Sequence, residues 1–187
     1  HILPHLWHRN TWSWGYDRPR PELQAIGPGT VYTDERHLGE RWWYVERSSG
    51  AEGKEQGTHD PSAERSPQSR SGTQPVLLFT ENETNTQHLF GVPNRTPYVK
   101  DGIHEAVVNG LADRVNPEGV GTKVAAHYQA TVAPGESFVV RTRFVDAANE
   151  DPFGDFEAVF EARLREADEF YAVVQRAGRH GQACPHL

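Results

Sequence analysis

The chain has 187 residues, with 19 Lys and Arg against 26 Asp and Glu for a formal charge of −7. Such a chain is expected to build one core, and its charge supplies no field to draw nucleic acid or an anionic membrane. No apolar run approaches the ~18 residues of a membrane span, and the single Cys184 excludes an internal disulfide.

In chain order, the first expected strands are His1–Leu6, Trp12–Trp14, Val31–Thr33 and Arg41–Glu46, short apolar or aromatic runs separated by Pro19, Pro21, Gly27, Pro28 and Gly29. Residues 47–75 contain no Val, Ile, Leu, Phe, Trp or Tyr. A segment of that composition cannot bury enough apolar surface to offset an ordering cost of about 1–2 kcal/mol per residue, so a disordered surface insertion is expected there. Val76–Thr80 follows as a continuous apolar run, the pattern of a strand covered on both faces.

The clearest period of two comes later. Val124, Ala126, Tyr128, Ala130 and Val132 alternate with polar or small residues, and Phe138, Val140, Thr142 and Phe144 resume the alternation after Ala133-Pro134-Gly135-Glu136. Pro presets φ and Gly tolerates positive φ, so the pattern predicts a β-hairpin with one buried face. From Asp155 to about Arg176 the period changes to three and four, through Phe156, Val159, Phe160, Leu164, Ala167, Phe170, Tyr171 and Val174. Asp155 is the expected N-cap, Glu157 suits the first turn, and Gly178 is the expected stop. The fold class is therefore mainly β, an antiparallel and partial β-sandwich followed by one long amphipathic C-terminal helix. The tail 179–187 shows no pattern.

Four groups invite a functional reading. All five tryptophans (Trp7, Trp12, Trp14, Trp42, Trp43) fall early in the chain, where they either fill a core or offer stacking faces to sugar rings. Thr80-Glu81-Asn82-Glu83-Thr84-Asn85 places six polar side chains where a strand ends; they either line a carbohydrate pocket or form a turn bonded to its own backbone. Paired carboxylates about 5–9.5 Å apart would serve glycoside hydrolysis, but spacing in sequence does not fix that distance. His5 and His8 lie in extended sequence without paired cysteines, and His180, Cys184 and His186 lie in the unpatterned end, so no metal and no other cofactor is expected.

Blocks of sequence also carry a resemblance. They are Leu6-Trp7-His8-Arg9-Asn10-Thr11-Trp12-Ser13-Trp14-Gly15; Leu78 to Asn85 running on to Leu89-Phe90-Gly91-Val92-Pro93-Asn94 and Pro97-Tyr98-Val99-Lys100-Asp101-Gly102; Val115-Asn116-Pro117-Glu118 through Gly121-Thr122-Lys123 to Ala126-His127-Tyr128; and Asp151-Pro152-Phe153-Gly154-Asp155-Phe156. In order, they resemble the bacterial glucosidase-like proteins of glycoside hydrolase family 63, related to mannosylglycerate hydrolases. The resemblance implies the later part of an N-terminal β-sandwich over residues 1–150, then a linking helix over 151–178. That helix would lead toward an (α/α)6 toroid that holds both catalytic carboxylates of an inverting mechanism and is not in this chain. No catalytic residue can then be assigned here. Glu81, Asn82, Glu83 and Asn85 become a loop near the substrate cleft, and the expected partner is the toroid of the parent chain.

Methionine is absent and the chain opens with His1, so a piece of a longer polypeptide is expected, with a cytoplasmic location. The expected function is a non-catalytic fragment of a family 63-like hydrolase acting on α-glucosidic or related bonds. Carbohydrate is a further possible partner, and exposed apolar surface would favour self-association. The alternative is a carbohydrate-binding β-sandwich module.

Overall fold

The computed structural model describes residues 1–15, 19–48 and 74–180, with side chains to residue 175. The expected insertion over 47–75 falls mostly, and the tail 179–187 almost wholly, outside the described residues. The chain forms two compact units, His1–Ala148 and Asn149–Leu187.

The first unit contains two antiparallel sheets. The smaller has the order β1-β7-β5, from His5–Trp7 (β1), Lys123–His127 (β7) and Val76–Thr80 (β5). The larger has the order β6-β2-β3-β4-β8, from Val120–Gly121 (β6), Leu23–Gly27 (β2), Thr30–Glu35 (β3), Gly39–Val45 (β4) and Thr142–Val145 (β8). Their inward faces share one core: Leu23, Val31, Trp43 and Val45 from the larger sheet meet Phe79, Val124 and Ala126 from the smaller, with Tyr128 just beyond β7. Helix α1 (Thr86–Phe90) follows β5, and α2 (Gly102–Asn109) then covers the outer face of the smaller sheet. There Ile103 packs with Leu78 and Ala125.

The period of two explains both faces. Phe79 and Val124 point into the sandwich, while Leu78 and Ala125 point at α2. Leu78, Phe79 and Thr80 are thus covered, as an unbroken apolar run leads one to expect, while Val76 at the start of the strand is 59% exposed. The expected single buried face for the Val124 segment is corrected: Val124, Ala125 and Ala126 are all buried.

The predicted hairpin is also corrected. A turn does form at Ala133–Glu136, where the Glu136 N–H donates to the Ala133 carbonyl at 3.1 Å and Gly135 takes φ 80°. Its flanks nevertheless join different sheets. Ala125 is paired with His5 on one side and Leu78 on the other, so β7 has no edge left for β8. The returning segment instead pairs with β4, setting Phe144 opposite Trp43. Phe138 and Val140 still pack on the shared core, and the Phe138 ring meets Tyr128 edge-on at 6.2 Å.

Two smaller expectations change. Trp12–Trp14 is a 3-10 turn closed by Gly15 at φ 78°, not a strand. The strand expected over His1–Leu6 narrows to β1 plus one bridge between Ile2 and Tyr128. Strand β2 and helices α1 and α2 carry too few patterned residues to stand out in sequence.

In the second unit, α3 spans Phe156–His180, 25 residues and about 37 Å. It runs through Gly178, which therefore does not end it; an interior glycine costs only about 1 kcal/mol. Phe156 stacks on Phe160 at 5.0 Å, and Arg163 pairs with Glu166 at 2.5 Å one turn on. Among the described residues, no helix is long and apolar enough to cross a membrane.

Two stability outcomes follow from this packing. Phe79→Ala opens a cavity in the shared core and should cost about 3–5 kcal/mol. Tyr128→Phe removes the 2.6 Å bond from the buried hydroxyl to the Glu46 carbonyl and should cost about 1–2 kcal/mol. Urea denaturation checks both, and a Tyr128→Phe loss as large as the Phe79→Ala loss would contradict this ranking.

Histidines set a pH limit. Burial pushes the pKa of His8 down, against a weaker opposing pull from Glu35, and burial with nearby Lys123 pushes His5 down. The unfolded histidines titrate near pH 6.5, so below that pH the unfolded chain takes up protons that the native state refuses. Stability should therefore fall as pH drops from about 6.5 toward 5.5, above the main carboxylate range. Urea midpoints across this window should decline, with a shallower slope in His8→Gln; a flat wild-type profile sinks the assignment.

Candidate functional site

The candidate loop leaves β5 at Thr80 and is held against residues 98–100. The Glu81 N–H donates to the Tyr98 carbonyl at 2.7 Å, and the Lys100 N–H donates to the Glu83 carbonyl at 3.0 Å. This backbone pairing fixes which way each polar side chain leaves the loop.

Glu81 turns inward and is 7% exposed. Its Oε2 accepts from the Thr122 hydroxyl at 2.7 Å, and its Oε1 lies 3.2 Å from the Arg20 guanidinium. The Thr122 oxygen in turn accepts from the Asn82 N–H at 2.7 Å, while the Asn82 side chain donates to the His8 carbonyl at 2.9 Å. Glu83 is 8% exposed and accepts the Trp12 indole N–H at 2.7 Å. Asn85 is the N-cap of α1: its Oδ1 accepts from the His88 N–H at 3.0 Å, and its amide donates to Asp101 at 2.9 Å.

The four loop residues thus hold the loop in place and do not converge on one point. Glu83 lines a cleft of about 380 Å³ with Trp14 and Arg95, and Asn85 lines a separate one of about 330 Å³ with Asp101 and Glu105. Glu81 lines neither. A third cleft, about 290 Å³, lies between Trp7, His8 and Arg9 and the segment Glu35–Leu38. Glu35 holds that segment by accepting from the His37 and Leu38 N–H groups at 2.9 and 3.1 Å.

The tryptophans divide between burial and exposure. Trp43 is in the core, Trp12 is tied to Glu83 and partly buried, and Trp42 is half-buried against Tyr32. Trp7 and Trp14 are 55% and 58% exposed. Arg9 lies over the Trp14 ring at 5.4 Å from its centroid, a cation–π arrangement that braces the indole.

Sequence reasoning missed Thr122, Arg20 and Arg95 as individual participants. They lie 41, 61 and 12 positions from Glu81 or Glu83 along the chain, and no spacing rule joins them. No group of three or more His, Cys, Asp or Glu side chains able to hold a metal occurs among the described residues. His8 faces Thr33 across 2.9 Å, while Cys184 and His186 lie outside them.

No family model matches the chain, and no solved structure matches it. It is similar to the Uncharacterized protein YMR196W of Saccharomyces cerevisiae, 32% identical over 187 residues, with 91% of this chain and 17% of the yeast protein covered. The chain therefore spans about one sixth of the length of the curated relative it matches.

Proposed function

We propose that this chain serves as the non-catalytic β-sandwich and linking-helix portion of a larger glycoside hydrolase of the family 63 type. Its role is to carry a helical catalytic toroid that acts on α-glucosidic or related bonds. The observation that carries this reading is the apolar stripe of α3. Phe160 and Leu164 are 63% and 65% exposed, and Phe170, Tyr171 and Val174 continue the same stripe. An uncovered stripe of that length on an amphipathic helix needs a partner surface. The occupant that fits is a helical domain of the same polypeptide, since helices pack ridges into grooves along such stripes.

Two further points support the reading. The four-block resemblance runs through both units, and the curated relative is several times longer than the matched stretch. The acidic loop residues are spent on Thr122, Arg20 and Trp12, which suits a supporting role better than acid and base catalysis. A cytoplasmic location goes with this proposal. The second reading, a carbohydrate-binding module that acts without a toroid, is favoured by the exposure of Trp7 and Trp14.

The isolated chain should give no turnover of α-glucosides or mannosylglycerate above buffer. In sedimentation it should self-associate through α3, and Phe160→Glu with Leu164→Glu should return it to a monomer. Robust turnover, or a wild-type chain that sediments as a compact monomer, overturns the proposal.

A further inference from the structure

We propose that the cleft beside Trp14 is a binding site for a neutral pyranose ring. The chemistry of its lining carries the inference; the choice of a saccharide over other polyhydroxylated ligands rests on the function proposed above.

The cleft lies between the 3-10 turn Trp12–Trp14 and the segments flanking α1, and its volume of about 380 Å³ falls within the ~300–1,000 Å³ typical of small-molecule sites. One wall is the exposed indole of Trp14. Arg9, which lies over that indole, lines the neighbouring cleft and not this one, so bracing and ligand contact need not compete for the same space.

Polar chemistry lines the same cleft. The Glu83 carboxylate is nearly buried and its Oε1 is oriented by the Trp12 indole N–H at 2.7 Å. Asn10, Ser13, Thr84 and Arg95 add amide, hydroxyl and guanidinium groups. The ligand therefore needs one flat C–H face for the indole, hydroxyls to donate to a carboxylate, and oxygens to accept from an arginine. A pyranose has all three. A phosphate or carboxylate ligand would meet the Glu83 charge, and an apolar ligand would desolvate Glu83 and Arg95 without offering either a hydrogen bond in return.

The test is titration of the full chain with methyl α-glucoside, methyl α-mannoside and their α-linked disaccharides, followed by tryptophan emission and ligand-observed NMR. At least one should bind saturably with a Kd of about 1–10 mM. Trp14→Ala should weaken that binding at least ~10-fold, Trp14→Phe should weaken it less, and Arg95→Ala should also weaken it. Trp7→Ala, which alters the other cleft, should leave it unchanged. Unchanged circular dichroism and urea midpoints would show that the exposed-residue variants remain folded.

Absence of saturable binding overturns the site, as does binding that Trp7→Ala abolishes and Trp14→Ala spares. Loss of the sugar site leaves self-association through α3 unaffected, so it is distinguishable from failure of the scaffold reading.

Discussion

The sandwich depends on one crossing point. Between β6 and β7 the chain passes from the larger sheet to the smaller through a single residue, Thr122, which is fully buried. Every polar group of Thr122 is used there. Its N–H donates to the Thr80 carbonyl at 3.1 Å and its carbonyl accepts from the His8 N–H at 2.9 Å. Its hydroxyl donates to Glu81 and accepts from the Asn82 N–H, each at 2.7 Å. A buried carboxylate is tolerable only when its oxygens are satisfied and its charge is paired. Thr122 and Arg20 meet those needs for Glu81, with the half-exposed arginine contributing modestly. The same crossing leaves no room for a side chain at Gly121, where a Cβ would stand 2.4 Å from the Thr80 carbonyl oxygen.

This crossing also explains what the sequence could and could not reveal. Alternation along Val124–Tyr128 and the unbroken run Val76–Thr80 identified strands because side-chain direction is local to each strand. Partner choice is not local. The turn at Ala133–Glu136 has the chemistry expected of it, yet β7 already has neighbours on both edges, and that fact depends on residues as distant as His5 and Leu78. The long helix was legible because its three-and-four spacing persists over many turns. Its end was not, because a glycine that permits a stop does not force one.

The loop after β5 shows the same limit at the level of chemistry. Glu81, Asn82, Glu83 and Asn85 stand in a row that sequence alone leaves open between pocket lining and turn formation. In the fold they have four different jobs: Glu81 closes the sheet crossing, Asn82 ties the segment after β1, Glu83 fixes Trp12, and Asn85 caps α1. Backbone direction distributes these adjacent polar residues among different partners, so their run in sequence does not imply a shared function.

Glu83 joins this structural work to the proposed sugar site. Its bond to Trp12 holds the carboxylate in one orientation and fixes the 3-10 turn that carries Trp14. The acceptor and the stacking wall are therefore set by one interaction between segments 71 positions apart. A site assembled in this way loses little freedom when a ligand enters, which favours binding by a weak, hydroxyl-rich ligand. Among the described residues the α3 stripe is apolar, so its energetics favour burial by area. On physical grounds the polar cleft and the apolar helix belong to different kinds of recognition: one discriminates by hydrogen-bond geometry, the other adheres by area.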